Sequence, residues 1–107
     1  MLQDARTENA VDEDERLVLR LPAVLDLKAA APLAAAFLGR RGEDLRVDAG
    51  DVQRIGGQCL QILLSAHSAW VEDRRSMTIA NATPQFCSAI ELFGAGPALS
   101  FYPKEPG

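Results

Sequence analysis

The chain is short of the residues on which most chemistry depends. It has one histidine, two cysteines, one tryptophan, one tyrosine and four phenylalanines in 107 residues. One histidine rules out a paired-imidazole metal site. The two thiols, Cys59 and Cys87, stand far from C-x-x-C spacing, which removes zinc and dithiol redox motifs. No run approaches the ~20 apolar residues needed to span a bilayer, and the amino terminus lacks a basic stretch leading into an apolar one, so neither membrane insertion nor a secretory signal is expected. A reduced, cytoplasmic protein without metal or cofactor is the expectation that follows.

Positive charge is scarce as well. The formal net charge is -4, and six acids (Asp4, Glu8, Asp12, Glu13, Asp14, Glu15) against Arg6 and Arg16 account for all of it within residues 1–16. The rest of the chain is electrically balanced and carries no basic stripe, which speaks against nucleic acid. We therefore divide the chain into an acidic leader over 1–15, one domain over 16–102 and a tail over 103–107, since this length suits a single hydrophobic core.

What is present alternates between two periodicities. Arg16–Leu21 reads as a strand ended by Pro22, and Val24–Leu25 as a second, very short one. Ala29–Leu38 reads as a helix with Pro32 in its first turn, an inner face of Leu33, Ala36 and Phe37, and Gly39 as its stop. Asp44–Asp48 reads as a strand with Leu45 and Val47 inward, followed by a loop through Asp51 to Gly56-Gly57. From Gln58 to Asp73 the spacing is strongly helical: Cys59, Leu60, Leu63, Ala66, His67, Trp70 and Val71 share one side, Gln58, Gln61, Ser65, Ser68 and Glu72 the other. Arg74-Arg75 suits the carboxyl end of that helix. Met77–Ala80 reads as a strand, and Thr83-Pro84 opens a helix with Phe86, Ala89, Ile90 and Phe93 inward and Gly94 as its stop. Ala98–Tyr102 is expected to be extended along a sheet edge. Alternating strands and helices predict an α/β fold: one domain, a mixed β-sheet of about four to five strands and about three to four helices on one side.

Candidate chemistry is sparse. His67 projects onto the apolar side of its helix, where a core role outweighs a catalytic one. Asp48 and Asp51 could form a carboxylate pair at a strand end, yet acids in turns are also ordinary loop formers. Cys59, near a helix amino terminus but facing inward, reads as a buried structural thiol. Gly56-Gly57 precedes a helix without a P-loop lysine or a G-x-G-x-x-G spacing. A small enzyme built on Asp48, Asp51 and Cys59 is the alternative from a different class. The remaining feature is a surface: the outer side of the Gln58–Asp73 helix carries short and amide side chains, which desolvate at modest cost and suit a protein contact.

The run from Leu45 to Leu64, Leu-Arg-Val-Asp-Ala-Gly-Asp-Val-Gln-Arg-Ile-Gly-Gly-Gln-Cys-Leu-Gln-Ile-Leu-Leu, resembles the central strand, loop and helix of STAS domains, the group that includes anti-sigma-factor antagonists. Val24-Leu25-Asp26-Leu27 resembles the entry to that family's first helix, and Met77–Pro84 its later strand and following helix, which ends near Leu92-Phe93-Gly94. The resemblance spans residues 16–102. It implies a non-enzymatic switch that binds a kinase-type ATPase through the loop and the start of the second helix. Many members carry an acid-Ser-Ser/Thr/Ala-Gly-Leu motif whose first serine is phosphorylated; here Gly56-Gly57-Gln58-Cys59-Leu60 stands in its place, so Gly57 occupies the phosphoacceptor position and no phosphorylation is expected there. The Gly-Gly-Gln-Cys-Leu-Gln variant is similar to STAS proteins of bacterial chemotaxis gene sets, which points to a histidine kinase as partner. Anti-sigma-factor antagonists and the small cytoplasmic STAS subunit of lipid-transport ABC complexes are the alternatives within the family. The implied partner-binding residues are Asp51, Gly56, Gly57, Gln58, Gln61, Ser65 and Ser68.

Overall fold

Asp26 decides where the first helix begins. Its carboxylate accepts hydrogen bonds from the backbone N–H groups of Lys28 and Ala29 at 3.1 and 3.3 Å, the N-cap arrangement that satisfies otherwise orphaned donors. Helix α1 therefore runs Leu27–Leu38, two residues earlier than the alanine run suggests. Pro32 consequently falls in the second turn, not the first. A computed structural model describes residues 18–99. The leader, Arg16-Leu17 of the first expected strand and residues 100–107 lie outside the described residues.

The strands are β1 (Val18–Arg20), β2 (Val24–Leu25), β3 (Leu45–Asp48), β4 (Arg54–Ile55) and β5 (Met77–Ala80); the further helices are α2 (Gly57–Glu72) and α3 (Pro84–Leu92). This is the expected α/β class, with five strands and three helices among the described residues. The strands divide into a three-stranded sheet, β1-β3-β5, and a two-stranded one, β2-β4. Every pairing is parallel, and no antiparallel strand occurs among the described residues. β3 is central, with Val47 opposite Leu19 on one side and Ile79 on the other. A buried position between two neighbours explains why Leu45 and Val47 are apolar there.

Strand β4 is absent from the sequence reading, which has a loop at Arg54-Ile55. Two residues cannot show a period of two; the strand exists because the Ala23 carbonyl accepts from Gln53 and Arg54 N–H and the Leu25 carbonyl from Gly56 N–H. The expected extended stretch at Ala98–Tyr102 is also corrected where it is described: residues 96–99 form turns, with the Leu99 N–H donating back to Ala95 and Gly96 carbonyls. Leu99 is buried all the same, so its apolar character reflects packing of a turn.

Because the strands run in one direction, their carboxyl ends and the amino ends of the helices lie at the same end of the fold. The loop after β3 and the start of α2 are both there. Thr83 Oγ1 donates to the Val52 carbonyl at 2.7 Å while accepting from Phe86 N–H, so one side chain caps α3 and fastens it to the β3–β4 loop. Helices α1 and α2 are joined by an edge-to-face contact of Phe37 and Trp70 with centroids 6.1 Å apart. The Trp70 indole N–H is satisfied by the Glu43 carbonyl at 2.6 Å.

Candidate protein docking site

Helix α2 begins on a bare backbone. Gly56 is its N-cap, with φ -92° and ψ 172° and no side-chain cap. The Gly56 N–H is used by the Leu25 carbonyl, and its own carbonyl accepts from Leu60 N–H at 3.0 Å. Both glycines are exposed. A Cβ on Gly56 would meet only the Leu25 carbonyl oxygen at 3.7 Å, and one on Gly57 only the Phe93 ring at 3.9 Å. Neither φ lies in the left-handed region, so neither backbone conformation nor space requires glycine here. At Gly57, the first residue inside the helix, glycine costs about 0.4–1 kcal/mol of stability relative to alanine, whereas at the N-cap Gly56 glycine is the better of the two.

From that end the outer side of α2 presents Gln58, Gln61, Ser65 and Ser68, all exposed. Gln58, Gln61 and Ser65 line one wall of a groove of about 370 Å³ between α2 and α1, facing Ala34, Phe37, Leu38 and Arg41. Ser68 is outside this lining. Asp51 is exposed on the loop that follows β3. The structure thus brings three of the seven expected residues into one groove, joins the two glycines to its amino end, and leaves Asp51 and Ser68 on neighbouring surface. At the other end Arg41 Nε donates to Asp73 Oδ2 at 2.9 Å, holding the Asp73 carboxyl below its usual range and tying the carboxyl ends of α1 and α2 together. Both groups are largely in solvent, so this ion pair contributes little.

Two of the groups that would serve an enzyme, Asp48 and Cys59, make structural hydrogen bonds. Asp48 Oδ1 accepts from Gly50 N–H at 2.9 Å, an Asx-type turn that shapes the loop. Cys59 is fully buried; burial, reinforced by the negative charge of Asp26, pushes its thiol pKa up, opposite to the shift a nucleophile needs. Its Sγ donates to the Asp26 carbonyl at 3.3 Å, a bond that stitches the start of α2 to the start of α1. His67 is buried on the inner side of α2. Among the described residues no group of three or more His, Cys, Asp or Glu could hold a metal ion.

The family model described as Mlab, STAS domain matches residues 9–99. The chain belongs to the STAS domain family. Comparison with the curated proteins and with the solved structures gives no match. STAS domains are generally non-enzymatic and commonly mediate contacts between proteins, which agrees with a site made of short polar side chains. No helix among the described residues is long and apolar enough to cross a membrane.

Two inner-face assignments are corrected in this STAS domain. Val71 is 61% exposed and Phe93 52%, although both were expected inward. Val71 stands in the last turn of α2, at the edge of the buried arc. Phe93 is the C-cap of α3, outside its helical body. Its ring lies against Gly57, and Leu92 beside it and Leu27 at the start of α1 are also exposed. The exposure of Phe93 beside Gly57 is not evident from the helical pattern. The available signal was Phe93 standing directly before the Gly94 stop, where helical periodicity no longer applies.

Proposed function

We propose that this STAS domain is a cytoplasmic, non-enzymatic regulator that docks on a signalling histidine kinase of the chemotaxis type. Docking uses the β3–β4 loop around Asp51, the Gly56-Gly57 pair and the outer side of α2 at Gln58, Gln61, Ser65 and Ser68. No phosphoryl group is taken up at position 57, because glycine has no hydroxyl. The observation that carries the reading is the continuous exposed strip from Gly56 to Ser65, composed of backbone, amide and hydroxyl groups without a lysine or an acid. Such a strip loses little hydration when covered.

Isothermal calorimetry of the full chain against the purified chemotaxis histidine kinase of the same cells tests it. Gln58→Arg combined with Gln61→Arg is expected to weaken binding at least about tenfold, in the range of a central interface substitution. Unchanged affinity would remove the strip from the interface. Incubation with the kinase and ATP is expected to leave the intact mass unaltered.

The description of the matching family model, Mlab, favours a second reading, a small STAS subunit of a lipid-transport ABC complex that uses the same face. Copurification from native cells separates the two readings, since transporter subunits and receptor-kinase arrays bring different companions.

A further inference from the structure

Helix α3 asks less of position 83 than the structure gives it. Serine, threonine, aspartate and asparagine all cap a helix, because each offers an oxygen to the N–H groups of the first turn. Thr83 meets that need by accepting from Phe86 N–H at 3.1 Å. Its hydroxyl also donates, at 2.7 Å, to the Val52 carbonyl 31 residues earlier in the chain. An ionised aspartate has no proton to give, so the cap alone does not call for a hydroxyl, and the bond to Val52 does. Val52 is fully buried, and among the described residues Thr83 is the donor that reaches its carbonyl. Without that donor the carbonyl would be unpaired and out of reach of water.

Val52 lies in the middle of the β3–β4 loop, and the rest of that loop is held mainly by backbone. Ala49 N–H donates to the Ala80 carbonyl of β5, and Gln53 and Arg54 N–H donate to the Ala23 carbonyl. The Asp48 carboxylate turns the chain at Gly50, where an added Cβ would come within 3.0 Å of Asp48 Oδ1 and 3.4 Å of the Asn81 Cβ. The loop is thus bonded to β5, to the β1–β2 connection and, through one side chain, to α3. Asp51 stands exposed on it. We infer that Thr83 is the positioning residue of this loop: by donating to the Val52 carbonyl, its hydroxyl holds the loop in one conformation in the free protein, so that Asp51 and the chain leading to Gly56 are presented preformed. The inference rests on the docking reading above only for the use of the loop as a contact surface. A preformed loop removes the cost of ordering it on binding, and Thr83 achieves this from outside the set of residues assigned to the contact.

Backbone order parameters from nitrogen-15 relaxation of the full chain separate the two bonds of Thr83. In the unaltered protein the amides of Asp51, Val52 and Gln53 are expected near the rigid value of about 0.85. Thr83→Asp keeps the cap and loses the donor: the three loop amides are expected to fall below about 0.6, the flexible range, while Phe86 and Cys87 at the start of α3 stay rigid. Thr83→Ser keeps both bonds and is expected to leave the loop and the helix start as they are. Thr83→Val, which loses the donor without adding a charge, is expected to loosen the loop as the aspartate does and takes its place if the aspartate variant does not fold. A loop already mobile in the unaltered protein, or one that stays rigid without the donor, overturns the inference. The measurement is made on the free protein, so failure of the docking reading leaves the role of Thr83 standing, and a failure at Thr83 leaves the α2 strip of the docking reading standing.

Discussion

Cys59 and Cys87 are identical in covalent structure and differ only in surroundings. Cys59 is buried, with its thiol pKa pushed up by burial and by Asp26, and Cys87 is partly exposed on α3. Thiolate is the reacting species, and access is the second requirement. A maleimide at neutral pH is therefore expected to add once to the native protein, at Cys87, and twice in denaturant; mass spectrometry counts the adducts. Rapid native labelling of Cys59 would contradict its burial. The inward face of Cys59 was legible from helical spacing, because Leu60, Leu63 and Trp70 define the same arc. The exposure of Phe93 was not legible, because a C-cap residue is oriented by the turn that follows it and not by the helix before it.

Helices α2 and α3 end alike, and their ends differ by one residue. After α3, Gly94 has φ 65°; its N–H donates to the Glu91 carbonyl and the Ala95 N–H to Ile90, the double bond of a Schellman motif. After α2 the same two bonds run from Arg74 to Val71 and from Arg75 to Trp70, but the left-handed position, φ 59°, is held by Arg74. A side chain in that conformation costs about 1 kcal/mol or more. Arg74→Gly is expected to stabilise the protein by about 1 kcal/mol and to raise the melting temperature by several degrees. The stop signals were readable in the chain, Gly94 directly and Arg74-Arg75 as basic residues at a helix end. The strained backbone at Arg74 was not, since no local rule demands an arginine there.

At the scale of the molecule one core is shared by all layers. Leu63, in the middle of α2, is almost fully buried and belongs to the same cluster as Val47 of β3, Trp70 of α2 and Phe86 of α3. Leu63→Ala is expected to destabilise by about 2–5 kcal/mol, and Gln61→Ala, on the opposite side of the same helix, by less than about 0.5 kcal/mol. With a single core, unfolding followed by tryptophan fluorescence and by far-ultraviolet circular dichroism should give coincident transitions. Separate transitions would mean that α2 and the sheet unfold independently.

The sequence by itself determined the order of every described element except β4, the inward alternation of Leu45 and Val47, the inward arc of α2 and the absence of a hydroxyl at position 57. Each of these depends on neighbours two to four residues apart, or on the chemistry of one residue. Only the tertiary structure decided that Arg54-Ile55 is a strand, that α1 and α2 enclose a groove, and that the Phe93 ring lies against Gly57. Those features arise where segments distant along the chain meet: Ala23 with Gln53, Phe37 with Trp70, and the end of α3 with the start of α2.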